Sequence, residues 1–180
     1  MQGSLGQGFD YDSVQKIAEE IISLQKKGHE VAVVLGAGNI WRYRDTKESG
    51  IKRTRSDALG MTATVMNSVV LQSALESLSA KTRVVSSFPT PKLAENFLAD
   101  TGKKYLSDGE ILLCAGGTGN PYFTTDSAAA LRALELKCDV IIKATKVDGV
   151  YDSDPEQNSS AKKYDVLSFD EAIEKNLKVM

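Results

Sequence analysis

Histidine occurs once in these 180 residues, at His29, and cysteine only twice. A single imidazole, with no Ser or Cys in a nucleophile-elbow context, excludes histidine-based acyl transfer, and His29 reads as a surface residue at a helix–strand junction. Cys114 and Cys138 have neither metal-ligand spacing nor the numbers of a secreted disulfide scaffold. Both read as reduced, buried small hydrophobes in a cytoplasmic protein. Aromatic residues are scarce (7%) and the net charge is −2, so there is no general basic field to hold nucleic acid. No apolar run approaches a membrane span, and the glycine- and glutamine-rich start is unlike a signal peptide. The Gly-x-x-x-x-Gly-Lys-Ser/Thr pattern is also absent, which excludes a P-loop kinase.

What is present is a regular alternation of helix and strand. A helix is predicted from about Asp12 to Lys27, with Val14, Ile17, Ala18, Ile21, Ile22 and Leu24 as its apolar stripe and Gly28 as its stop. Apolar strands are predicted at Val31–Leu35, Arg83–Ser86, Ile111–Cys114 and Val140–Lys143, with a short one near Tyr164–Leu167. Between them fall a long helix over Asp57–Leu78, a helical stretch over Lys92–Thr101 and a helix ending near Lys137. Ser168-Phe169-Asp170-Glu171 carries the capping-box pattern of a last helix. Met1 to Phe9 reads as a glycine-rich loop. None of the strands alternates cleanly with period two, so each is expected to be buried on both faces. That is the pattern of an α/β chain with a parallel sheet between two helical layers. The length suffices for one sizeable core.

Two glycine turns leave these strands. Gly116, Gly117, Thr118, Gly119 and Asn120 follow Ile111–Cys114 and lead into a helix through Thr124, Thr125 and Asp126. Such an entry exposes unpaired N–H groups at the positive end of a helix, a ready anion site. Capping alone needs one Thr or Asp and one Gly; the excess here points to a nucleotide or phosphate. Gly36-Ala37-Gly38 follows Val31–Leu35. A dinucleotide fingerprint would need a third small residue where Trp41 stands, so Asp57, although near the distance of a ribose contact, does not rescue a nicotinamide or flavin reading. Close backbone approach to phosphates from two sides remains.

Arg42 begins the segment after the first turn and can reach back to an anion; Arg44 reads equally as solvated charge. Lys52, Arg53 and Arg55 form a local basic cluster that suits a phosphate ester better than a duplex. Lys143 ends a predicted strand at the carboxyl edge of the sheet, where open α/β folds bind ligands. Lys146, Asp148 and Asp152 read equally as loop solvation.

Val33 to Arg42, Ser56 to Asn67, Thr118 to Asp126 and Lys143 to Tyr151 together resemble the bacterial uridylate (UMP) kinases. In order, they are similar to that family's first glycine loop, nucleoside-contacting helix, acceptor loop and ATP loop. The resemblance implies the amino-acid kinase fold, a three-layer αβα sandwich with a mainly parallel central sheet, in a cytoplasmic homohexamer. It implies transfer of the ATP γ-phosphoryl group to UMP, with Mg²⁺ accompanying ATP, for pyrimidine nucleotide biosynthesis. Gly36 to Gly38 and Arg42 would surround the transferred phosphate, with Ala37 on the UMP side. Asp57 would contact the UMP sugar, while Thr118, Gly119, Asn120, Pro121, Tyr122, Phe123, Thr124 and Thr125 would hold uracil and the UMP phosphate. Gly38, Arg42, Thr145, Tyr151 and Asp154 would contact ATP, with Tyr151 against adenine. No protein side chain is assigned as a metal ligand. The segment from Gln2 to Phe9 resembles the loop that the family links to GTP activation, and UTP inhibition is implied with it; neither nucleic acid nor membrane is an implied partner.

The implied acceptor is a phosphate monoester with a second pKa of about 6, already mostly dianionic at neutral pH. Such a reaction needs no strong general base; it needs two anions brought together and the moving phosphoryl charge neutralised. Arg42, Lys143, Mg²⁺ and the turn N–H groups would supply that electrostatics. Asp126, at a helix amino end, would orient the cations rather than take a proton. Three departures from the family pattern matter. Ala37 stands where glycine is usual and requires a negative φ. The family's opening strand, with its Lys-x-Ser-Gly-Glu motif, and its C-terminal part are both lacking. The expectation is therefore a single amino-acid kinase domain, residues 1–180, incomplete at both ends, with an exposed sheet edge and poor turnover. Two further readings stay open: a non-catalytic nucleotide-binding or regulatory remnant of this fold, and a relative acting on a carboxylate or carbamate, against which the acceptor loop stands.

Overall fold

The computed structural model describes residues 1, 3, 7–43, 50–145, 147–155 and 157–177. In chain order the elements are α1 (Tyr11–Lys26), β1 (Ala32–Val34), α2 (Arg53–Ser77), β2 (Thr82–Ser86), β3 (Glu95–Asn96), α3 (Ala99–Ser107), β4 (Ile111–Ala115), α4 (Thr125–Leu136) and α5 (Phe169–Glu174). They form two compact units, Met1–Ile141 and Ile142–Met180.

In the first unit the strands form one parallel sheet in the order β1-β4-β2-β3. Every residue of β4 is buried, and alternate residues serve opposite faces. Ile111, Leu113 and Ala115 join Val14, Ala18, Ile21 and Ile22 of α1 and Val65, Leu71 and Leu75 of α2 in one core. Leu112 and Cys114 join Val85, Leu106 of α3 and Leu136 of α4 in the other. Helices therefore cover both faces, giving the αβα layering expected from the apolar, non-alternating strands. Each fully buried Leu or Ile contributes about 1.5–3 kcal/mol, so β4 is the part of the sheet least able to shift. Burial pushes the Cys114 thiol up to about 12, which keeps it an inert core residue.

Several expectations change. The helical stretch foreseen over Lys92–Thr101 is a turn, then β3, then α3 from Ala99. Arg83 Nη1 donates to Glu95 Oε1 at 2.9 Å and Tyr105 Oη donates to Glu95 Oε2 at 2.6 Å, which holds this stretch extended beside β2. The strand foreseen at Val140–Lys143 does not form. Val140, Ile141 and Ile142 are 70%, 57% and 74% exposed, because a strand exists only as a paired ladder and no described residue pairs with this segment. Cys138, just before it, is consequently exposed rather than buried. By length and composition α2 would pass as a membrane span, contrary to the sequence expectation. Here it packs against α1, β2 and β4 as the central helix of the core.

The second unit is organised by an antiparallel bridge between Tyr151 and Lys163. Tyr164 N–H donates to Val150 O at 2.8 Å and Asp152 N–H to Lys162 O at 3.0 Å. The strand foreseen near Tyr164–Leu167 is reduced to this bridge. The capping box forms as foreseen, with Glu171 N–H donating to Ser168 Oγ at 3.1 Å and Ser168 N–H to Glu171 Oε2 at 2.9 Å.

Candidate active site

Both glycine turns leave the carboxyl ends of adjacent strands, β1 and β4. Neither Gly36 nor Gly38 adopts positive φ, and nor does Ala37, so the alanine methyl is accommodated as the family resemblance requires. The demand on this first turn is space. A Cβ on Gly36 would lie 3.2 Å from Thr125 Oγ1, and one on Gly38 would lie 2.7 Å from Arg42 Nε. The arginine can swing away, whereas Thr125 sits in the first turn of α4, so Gly36 is the stricter position. Arg42 Nε donates to Gly38 O at 2.6 Å, folding this cation back over the turn.

The first turn is held from beneath by α2. Asn67 Nδ2 donates to Gly36 O at 2.6 Å and to Asn39 Oδ1 at 2.7 Å, and Asn39 Nδ2 returns a bond to Asn67 Oδ1 at 3.0 Å. Asn39 Nδ2 also reaches Gly8 O at 3.1 Å, while Gly8 N–H donates to Asn39 O at 2.7 Å. Both asparagine side chains are buried, where an unpaired amide would cost about 1–3 kcal/mol, so the network has few alternatives. Trp41 Nε1 donates to Ser56 Oγ at 2.9 Å and ties the chain after the turn to the start of α2.

The second turn depends on backbone handedness. Gly116, Gly117 and Gly119 have φ of 80°, 58° and 79°, the region glycine enters without steric cost. At Gly116 space is short as well, since a Cβ would stand 2.8 Å from Ser87 N. Gly116 N–H donates to the buried Thr64 Oγ1 at 2.8 Å, and Gly119 N–H closes the turn on Gly116 O at 3.0 Å. The N–H groups of Gly117 and Thr118 have no hydrogen-bond partner among the described residues. Thr124 caps α4 by accepting Ser127 N–H at 3.2 Å, which leaves Thr125 and the exposed Asp126 on its first turn.

Asp57 links the acceptor loop to α2. Its carboxylate accepts Tyr122 N–H at 2.8 Å and Arg53 Nε at 2.8 Å. Tyr122 has φ of 71°, unusual for a non-glycine residue, and this bond to Asp57 helps hold it there. Arg53, with Tyr43 at 4.4 Å and Tyr122 at 5.7 Å from its guanidinium carbon, has its pKa raised chiefly by the hydrogen bond to Asp57. The basic cluster read from the sequence is therefore partly committed to protein groups. Tyr122 and Phe123 present exposed rings beside this junction.

The first unit thus brings together Gly36, Ala37, Gly38, Arg42, Asp57 and the segment from Thr118 to Asp126. Lys143, Thr145, Tyr151 and Asp154 belong to the second unit. There Tyr151 Oη donates to Asp148 Oδ1 at 2.6 Å, and Lys163 Nζ donates to Asp148 Oδ2 at 2.9 Å. The tyrosine hydrogen bond first, and the lysine second, hold the Asp148 carboxyl down at about 2. Thr145 Oγ1 donates to Val147 O, and Asp154 O accepts Asn158 N–H at 2.8 Å. Lys143 is exposed in irregular chain, so the strand-end placement that singled it out does not hold. Arg44, Lys146 and, within the Gln2–Phe9 segment, Gln2, Ser4, Leu5 and Gly6 lie outside the described residues.

Thr64, Asn67, Ser87 and Arg132 were given no role by the sequence reading. A signal existed for three of them. Thr64, Asn67 and Ser68 fall on the same helical stripe as Leu71 and Leu75, and all five are buried. Arg132 falls midway between Ala128 and Leu136, which are also buried. Thr64, Asn67 and Arg132 each meet an interior partner, whereas Ser68 Oγ on the same stripe has none among the described residues. Ser87, at the end of β2, carried no such signal.

A parallel α/β sheet with two glycine turns side by side at its carboxyl edge defines the open α/β class, in which ligand sites lie at the strand ends. The amino acid kinase family model matches residues 4–179. The uridylate kinase of Rickettsia bellii is 48% identical over 173 residues, 96% of this chain and 72% of that protein. The solved UMP kinase of Ureaplasma parvum superposes with a TM-score of 0.90 at 41% identity, over 96% of this chain and 73% of that one. The UMP kinase of Bacillus anthracis does so with a TM-score of 0.93 at 37% identity, over 97% of this chain and 72% of that one. The chain belongs to the amino acid kinase family.

Proposed function

We propose that this chain acts as a UMP kinase, moving the γ-phosphoryl group of ATP to the phosphate of UMP to give UDP. The observation that carries the reading is the meeting of the two turns, with Gly36 packed so closely on the first turn of α4 that a Cβ would lie 3.2 Å from Thr125 Oγ1. A phosphate cradled by one turn then lies beside a phosphate cradled by the other, which in-line transfer between two anions requires. Bacterial uridylate kinases at 44–50% identity support the choice of acceptor.

In this reading Gly36, Ala37, Gly38 and Arg42 surround the transferring group, with Arg42 releasing Gly38 O to reach it. Asp57 and the segment from Thr118 to Thr125 hold UMP, with the rings of Tyr122 and Phe123 available to the base. Thr145, Tyr151 and Asp154 contact ATP, Lys143 adds positive charge, and Mg²⁺ arrives bound to ATP as part of the substrate. Asp126 orients cationic groups at the amino end of α4. The same reading extends to a cytoplasmic homohexamer activated by GTP and inhibited by UTP.

Calorimetric titration with UMP tests the acceptor, with CMP and glutamate as competitors and circular dichroism to establish folding. Saturable, UMP-selective binding is expected; a folded chain that ignores UMP rejects the reading. Asp126→Asn should lower turnover, on the order of 10²-fold, with UMP affinity unchanged. Undiminished turnover would remove Asp126 from the mechanism.

A further inference from the structure

The side chain of Arg132 on α4 is only 6% exposed, two turns along the helix whose first turn ends the acceptor loop. A guanidinium is costly to bury and is kept where its donors are used. One donor meets Glu135, which is partly exposed. Another, Nη2, donates to Ser87 Oγ at 2.8 Å and approaches Gly117 O at 3.5 Å. Ser87 Oγ in turn donates to Gly117 O at 2.7 Å. The guanidinium carbon lies 4.0 Å from the centre of the Phe97 ring, a cation–π contact that further confines the side chain.

We propose that Arg132 is a positioning residue for the acceptor loop, acting through Ser87 on the carbonyl of Gly117. Thr124 already ties the end of the loop to the start of α4. Arg132 ties the beginning of the loop to the same helix, so both ends of the 116–124 segment move with one rigid body. Fixing the Gly117 carbonyl sets the peptide plane between Gly117 and Thr118, and hence the direction of the Thr118 N–H, which has no partner among the described residues. Three positive-φ glycines would otherwise leave that plane free to rotate. The substrate consequence rests on the UMP reading; the ordering of the loop does not.

The test is UMP calorimetry and amide hydrogen exchange on the wild-type chain, Arg132→Met, Arg132→Lys and Ser87→Ala, at a temperature where circular dichroism shows each folded. Arg132→Met should weaken UMP binding about tenfold, the loss of one or two buried charge-assisted hydrogen bonds. Arg132→Lys should recover only part of this, because a single ammonium cannot serve Glu135 and Ser87 in one plane. Ser87→Ala should weaken UMP binding by about half as much on a logarithmic scale, and by nothing further when combined with Arg132→Met. Exchange at Gly119 N–H should accelerate in Arg132→Met while the core of α1 is unchanged. Arg132→Met with a lowered melting temperature but wild-type UMP affinity and Gly119 exchange would show a merely structural arginine and overturn the proposal. If Arg132→Met does not fold, Ser87→Ala decides, and wild-type affinity and exchange in that variant overturn it. A folded wild-type chain that does not bind UMP rejects the UMP reading and the substrate consequence, while Gly119 exchange still decides whether Arg132 orders the loop.

Discussion

The acceptor loop (116–124) and the loop from 143 to 154 are both short, glycine-containing and rich in Thr or Asp, yet they are held by different physics. The first is fixed largely by side chains that reach it from the interior, Thr64 to Gly116 N–H and Ser87 to Gly117 O, with an exposed bond from Tyr122 N–H to Asp57 added at its far end. Its neighbour, the 36–39 turn, is fixed by the buried Asn67. The second loop is fixed by Tyr151 and Lys163 meeting Asp148 in solvent, in a unit where no described residue is buried. A hydrogen bond closed off from water has no substitute when broken, whereas an exposed one is replaced by water at little cost. The first region should therefore be rigid before any ligand arrives, and the second should gain its order from what it binds.

The sharpest way to break this contrast is to delete an interior anchor. Asn67→Leu keeps the branched shape of the side chain, with two bulkier methyls, and removes two donors and an acceptor, leaving Gly36 O and the Asn39 side chain without their partner. We expect a loss of about 3 kcal/mol in urea unfolding followed by circular dichroism, since each stranded buried group costs about 1–3 kcal/mol. A loss below about 1 kcal/mol would show that water enters beneath the turn, and the first region would then resemble the second.

Helix caps give a matched comparison of intermediate size, because Thr124 and Ser168 perform the same chemistry in the two units. Thr124→Ala should cost about 1 kcal/mol of global stability, as α4 is anchored in the core by Ala128, Arg132 and Leu136. Ser168→Ala should leave the global midpoint unchanged and speed amide exchange only within α5, whose six residues include none that is buried. Equal global effects from both would mean that the second unit unfolds together with the first.

The contrast also explains what was legible in the sequence. Elements with an apolar stripe were readable to within a few residues, as α1, α2 and β4 show, because their burial is written in the spacing of Val14, Ile21, Leu71, Leu75 and the run from Ile111. The two glycine turns were readable because left-handed backbone and close approach leave few residue choices. Val140–Lys143 misled because β-branched residues record a preference for extended backbone, not the presence of a partner strand. The interior anchors were overlooked because a polar side chain in a helix looks the same in sequence whether it faces water or a buried carbonyl. Only their register with Leu71, Leu75 and Leu136 distinguishes them.

The smallest expected effect is a pH dependence confined to the second unit. Asp148 is held at about 2 against an ordinary 3.8, so the bridge it supports is at full strength above 3.8 and weakens as pH falls toward 2, where the carboxylate is finally protonated in place. Lys163 is raised from 10.5 and Tyr151 from 10.0, each chiefly by its hydrogen bond to Asp148. Their contributions are complete below those ordinary values and disappear as pH rises through the elevated ones. The bridge should accordingly be insensitive to pH from about 5 to 9. Tyr151→Phe removes the larger cause of the Asp148 shift. An NMR titration should then place the carboxyl closer to 3.8, with weakening of the bridge beginning at a higher pH and no movement of the first unit's unfolding midpoint. If that midpoint falls with the Asp148 titration, the two regions share one cooperative transition and the exposed cluster supports more than its own loop.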